Sequence, residues 1–301
     1  MKKKGFVERV LYGKDKTDFS KDNYPINRFY AFFSLLKTNW LSWIYISLLV
    51  TVSFLPLYFL YVAKSAYIIE QSTLIEPSNI ATFTMYTDSA FSLISIPLWM
   101  LGFIVLSGAV GLIRKMTFKE GYLFWSDFFS FIKTGYKNTL INALVFSIVL
   151  NVCTFNIDMM NTDHGLPPVL VYPIVIVSVI IIIINIMVAL MNCNLTTVYN
   201  LSVKGMYKNS LLLVFADFFK MFAFTFIFIF PILLAIFAPN FIISIIILCT
   251  VLLFLMAMNI EIMFLYSSYV FDKFINMKHA PEIYRKGLKK IDENVRSKKL
   301  K

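Results

Sequence analysis

The chain has 301 residues, 59% of them hydrophobic and only 15% charged, with a formal net charge of +11. A soluble domain lies nearer 45–50% apolar and about 25% charged, so the composition excludes an ordinary soluble globular protein. The positive charge alone does not choose between nucleic-acid binding and the basic loops of a membrane protein.

The chain opens on Met1-Lys2-Lys3-Lys4. No apolar stretch follows before Leu41, so this start is not read as a signal peptide. Phe29, Phe32, Phe33, Leu36 and Trp40 then recur at helical spacing. The pattern predicts an amphipathic helix lying in the membrane interface. Six stretches follow that are apolar enough to cross about 30 Å of hydrocarbon. They are Leu41–Ala63, Ser89–Ile113, Thr139–Asn156, Pro168–Met191, Leu211–Phe237 and Phe241–Leu265. The run Val169–Met191 carries no charge and is rich in β-branched residues. A lipid-facing strand would need a closed barrel with polar alternate positions, so helix is the better reading. Pro239-Asn240, between the last two spans, reads as a tight turn.

Lys and Arg number nine in residues 1–40, one in 64–88, five in 114–138, none in 157–167, two in 195–210 and ten after 265. Alternate connections are therefore basic, which predicts both termini in the cytoplasm and accounts for the net charge without nucleic acid. Trp40, Trp43, Tyr199, Tyr266 and Tyr269 fall at predicted inner ends, and Tyr58, Tyr61 and Tyr172 at outer ends, as interfacial aromatics do. The expected fold is an all-α, polytopic membrane helical bundle of about six transmembrane helices with amphipathic interfacial elbow helices. Its layout is a cytoplasmic segment 1–40, a membrane domain 41–265 and a basic amphipathic tail 266–301.

Phe124, Phe128, Phe131, Ile132 and Tyr136 predict a second elbow helix, and FFSLLKT at Phe32–Thr38 echoes FFSFIKT at Phe128–Thr134. YKNTL at Tyr136 echoes YKNSL at Tyr207. Either one unit is repeated three times or interfacial helices have converged on similar wording. In the tail, Tyr284, Leu288, Ile291 and Val295 form a stripe flanked by basic residues. Arg285, Lys286, Lys289 and Lys290 are its candidate contacts to anionic lipid headgroups or a partner.

Charges inside apolar runs are functional candidates by default. Asp217 and Lys220 are three apart and can pair on one helical face. Glu261 lies about twenty residues into the last run, near the same depth at 1.5 Å per residue. One reading is a shared polar pocket near the inner leaflet. The other makes residues 203–220 a third elbow, with the span starting near Met221 and the charges at the interface.

Pro56, Pro97, Pro173 and Pro231 are expected to kink spans, and Gly102, Gly108 and Gly111 to let helices approach closely. Cys153, Cys193 and Cys249 form no CxxC and read as buried reduced thiols. His164 and His279 belong to no metal-ligand spacing, and no nucleophile, phosphate-loop or cofactor motif is present. No enzyme activity, cofactor, metal or nucleic-acid partner is therefore expected.

The segments AFFSLLKTNW, SFLPLY, GAVGLIRKMTFKEGYLFWSDFF, FIKTGYKNTL and LTTVYNLSVKGMYKNSLLLV carry a family likeness. Over roughly Arg28 to Leu265 the chain resembles the YesL family of small multi-span bacterial membrane proteins. Residues 1–27 and 272–301 lie outside that likeness. The resemblance implies an accessory component associated with carbohydrate uptake or utilisation; beside it, a place in the bacterial cytoplasmic membrane and a transport permease complex as partner are expected. It carries no catalytic residues. Two functions follow as expectations: a non-enzymatic accessory or scaffold protein, or a small-solute transporter or channel using Asp217, Lys220 and Glu261.

Overall fold

The computed structural model describes residues 24–161, 167–236, 243, 246, 247, 250 and 254–289, and every regular element among them is helical. In chain order these are α1 (Arg28–Ser72), a short 3-10 turn (Pro77–Asn79), α2 (Ile80–Thr117), α3 (Phe124–Asp158), α4 (Pro168–Val198), α5 (Val203–Ala216), α6 (Phe218–Ile236) and α7 (Met256–Phe271). The last continues through a π-helical turn, Asp272–Asn276, to His279. Four of these helices are long and apolar enough to cross a membrane, or five if the bent pair α5–α6 is one span. The Pro239-Asn240 turn and Cys249 lie outside the described residues.

Two features make this a membrane-type bundle. The most apolar windows of α1, α3 and α4 are only 22%, 28% and 33% buried, so their hydrophobic side chains face outward. In water, so large an exposed apolar surface would associate; in lipid it is solvated. The corresponding window of α2 is 56% buried, which makes α2 the central helix, packed on α1, α3, α4 and α7. Its glycines allow the approach. A Cβ at Gly111 would sit 2.1 Å from the Phe131 ring, and one at Gly102 2.4 Å from Phe54.

With little hydrophobic force between helices in lipid, polar contacts help set their register. Asn142 of α3 donates Nδ2 to the Ala189 carbonyl of α4 at 3.0 Å and accepts from Asn192 Nδ2 at 2.9 Å. Ser210 of α5 donates to the Asn192 side-chain oxygen. Asn185 reaches the Phe146 carbonyl at 2.9 Å, Asn194 reaches Ser267 of α7 at 2.8 Å, and Asn259 reaches the Phe228 carbonyl at 3.2 Å. These side chains tie α3, α4, α5, α6 and α7 together through the interior.

Pro56, Pro97 and Pro173 lie inside helices, as the spans containing them require, and the non-helical break within α1 is at Asn39 (φ −126°, ψ 24°). Other expectations need correction. Segment 64–88 is mostly helix, because α1 and α2 extend past their apolar runs and are joined by Lys64 and Asp88 at 2.9 Å. The helix containing Leu265 runs on beyond residue 266, through a π-helical turn, to His279. Trp43, expected among the interfacial aromatics, does not face outward: it is fully buried in the main core. Residues 281–288 form turns rather than an amphipathic helix, with left-handed φ of 53° at Arg285 and 79° at Gly287. Ile291 and Val295 lie outside the described residues.

Candidate functional site

The elements reverse direction so that 24–27, the α2–α3 connection, the α4–α5 connection and 280–289 meet at one end of the bundle. Hydrogen bonds across these segments define this basic end. Its hub is Asp272, where α7 passes into the π-helical turn. One carboxylate oxygen takes the Arg28 guanidinium at 2.9 Å. The other accepts from Asn276 Nδ2 at 2.9 Å and from the Arg285 backbone N–H at 3.0 Å. Asn276 in turn accepts from the Tyr199 hydroxyl at the end of α4. Burial, with the Asp272 charge adding to it, pushes the Tyr199 hydroxyl above its ordinary pKa, which keeps it a donor.

Local sequence explains why Arg28 is in place. Asn27 caps α1, its side-chain oxygen accepting the Tyr30 N–H at 3.0 Å, so Arg28 is the first helical residue. Arg28 also donates to the Lys286 carbonyl at 3.1 Å. The tail is thus folded back on the start of α1: Lys289 N–H reaches the Pro25 carbonyl at 3.0 Å, and Arg285 the Ile26 carbonyl at 2.9 Å. Lys286 pairs with Glu120 at 2.6 Å. Gly287 is required by contact as well as by φ, since a Cβ there would sit 2.0 Å from the Thr117 carbonyl oxygen.

The α2–α3 connection joins the same framework. Asp127 takes Lys115 at 2.8 Å and caps the start of α3 by accepting the Leu123 N–H at 2.7 Å. Tyr122 shares a hydrogen bond with Ser42 at 2.9 Å, and Lys119 reaches Ser34 at 3.3 Å, tying the connection to both sides of the Asn39 break.

A groove of about 880 Å³ opens beside Asp272, between the first turns of α1, the bend before α6 and the face of α7. Its walls are mainly apolar, with an aromatic share from Phe29, Phe32, Phe33, Phe224, Tyr266 and Tyr269. Arg28, Lys220, Lys273 and Arg285 also line it, against the single carboxylate of Asp272.

The residues expected from the sequence are placed as follows. Asp217 occupies the break between α5 and α6, which are bent by 102°. Its carboxylate is 3.9 Å from Lys220, whose side chain is 59% exposed. Glu261 does not line the groove. It is 1% exposed, beside Trp43 and Lys119, and its Oε1 has no hydrogen-bond partner among the described residues. Asp217 and Lys220 are together; Glu261 packs with other partners. Arg285 and Lys286 are held by the tail contacts above, Lys289 anchors by its backbone, and Lys290 lies outside the described residues. Reading the sequence missed Arg28, Glu120, Asp272 and the asparagine network. The asparagines left a signal, since Asn138 and Asn142 are four apart and Asn185 and Asn192 seven apart, each pair on one helical face.

Comparison with known protein families, with curated proteins and with solved structures finds no match.

Proposed function

We propose that the chain is a non-enzymatic accessory or scaffold protein of the bacterial cytoplasmic membrane, with six spans, elbow helices at the inner interface and both termini in the cytoplasm. The observation that carries this reading is the ion-paired basic end. Arg28, Asp272, Asn276, Arg285, Lys286 and Glu120 join four chain segments into one surface. Such a surface is suited to holding a partner, because its charged groups are positioned by one another. The break at Asn39 and the 102° bend at Asp217 support elbows before two of the spans. The likeness to the YesL family favours a carbohydrate-uptake permease as the partner. Copurification of the tagged full chain from native membranes in mild detergent tests this. A stoichiometric permease or its ATPase is the expected result, and a protein that elutes without any companion contradicts it.

A second reading, small-solute transport, is favoured by the broken helix at Asp217, since discontinuous helices build substrate sites in many transporters. It requires a water-accessible path, so cysteines placed beside Glu261 would react with polar thiol reagents. Unreactive cysteines eliminate it.

A further inference from the structure

We propose that the groove at the basic end binds one anionic glycerophospholipid, its acyl chain against the apolar wall and its phosphate at the cationic mouth. Four cations line the groove and one carboxylate opposes them. Asp272 is taken up by Arg28, by Asn276 and by the Arg285 N–H and makes no ion pair with Lys220 or Lys273, and the carboxylate beside Lys220 is Asp217, at a loose 3.9 Å. Two guanidinium N–H groups of lining residues, Arg28 Nε and Arg285 Nε, are buried without an acceptor among the described residues. A buried charged donor without an acceptor is costly, and phosphate oxygens supply several acceptors at once.

The apolar wall selects among anions. Phe29 is 67% exposed and Phe33 50% exposed, so the groove opens sideways along the elbow of α1. A small hydrophilic anion would leave that wall uncovered. A lipid satisfies both parts, and the volume lies within the range of ligand pockets. Clustered Lys and Arg beside an apolar surface are also what anionic headgroups seek. This site differs from the basic tail: Lys286 is engaged with Glu120 and does not line the groove.

The inference rests on the proposed placement of this end at the inner leaflet, but it is measured in detergent, so either can fail alone. The full chain in dodecyl maltoside is mixed with equal amounts of phosphatidylglycerol and phosphatidylcholine of identical acyl chains and examined by native mass spectrometry. One phosphatidylglycerol per chain is expected, preferred by roughly tenfold or more. The double variant Lys220→Gln/Lys273→Gln should lose most of that preference with little change in thermal unfolding, because the Lys220–Asp217 pair is long at 3.9 Å and the Lys220 side chain is 59% exposed. Phe33→Ser should weaken retention of both lipids. Equal retention of the two lipids, or a preference the double variant does not reduce, would overturn the proposal. So would full displacement of the lipid by inorganic phosphate. Absence of bound lipid, with a cysteine at position 33 crosslinking to residues outside 24–289 or to a second copy, would assign the groove to those occupants and also overturn it.

Discussion

At the basic end, Asp272 is nearly enclosed and receives Asn276 from its own turn, Arg28 from the start of α1 and the Arg285 backbone from the tail. At the opposite end, Lys64 and Asp88 pair between two adjacent helices, with Asp158 nearby. The same residue types therefore do different work. A carboxylate that accepts from several segments fixes the path of the chain. One of a pair of carboxylates sharing a lysine is left exposed to titration. Burial, with Asp88 adding to it and Lys64 opposing, raises the Asp158 carboxyl to about 6.

The largest expected effect breaks the hub. Asp272→Ala leaves the Arg28 guanidinium buried without its partner, and loss of one member of a buried pair costs about 3–5 kcal/mol. Thermal unfolding in detergent should fall sharply, and proteolysis should reach the 280–289 segment. Asp272→Asn, which keeps an acceptor but not the charge, should be milder. A middle effect is expected in the interior, away from both ends. Asn142→Leu removes the contacts to Ala189 and Asn192 and leaves polar atoms of α4 unpaired, a loss of about 1–2 kcal/mol. Denaturant titration in micelles measures it.

The smallest effect belongs to the opposite end. Because the folded pKa of Asp158 is raised, the folded state binds more protons than the unfolded chain between the ordinary value of 3.8 and about 6. Stability should therefore decline as pH rises through that window and level off above it. Asp158 is only partly buried, and solvent screening limits the change to about 1 kcal/mol or less. Asp158→Asn should flatten this slope and slightly stabilise the protein at pH 7. A steep loss of stability at neutral pH in that variant would show that the ionised carboxylate is needed, contrary to this account.

Much of the architecture was legible because lipid imposes simple rules. Long uncharged runs such as Val169–Met191 had to be helical, and alternate basic segments do gather at one end. What was not legible depends on tertiary contact. Nothing local to Asp217 distinguishes a paired charge inside a straight helix from a 102° bend, because the bend is set by how α5 and α6 pack on the other helices. Trp43 had the spacing of an interfacial aromatic, but the close packing of α1 encloses it. The tail stripe ignored Gly287, the residue that cannot continue a helix at φ 79° and that permits contact with Thr117. The hub was invisible because Arg28 and Asp272 are far apart in the chain, and neither lies inside an apolar run.

The contrast between the two ends has its meaning only if they face opposite sides of the membrane. Single cysteines at Leu74, exposed beyond α1, and at Trp125, exposed at the start of α3, test this in a background where Cys153, Cys193 and Cys249 are replaced by serine. With a membrane-impermeant maleimide, the account predicts labelling at position 74 in intact cells and at position 125 only after lysis. Labelling of both positions in intact cells, or of 125 before 74, would contradict it.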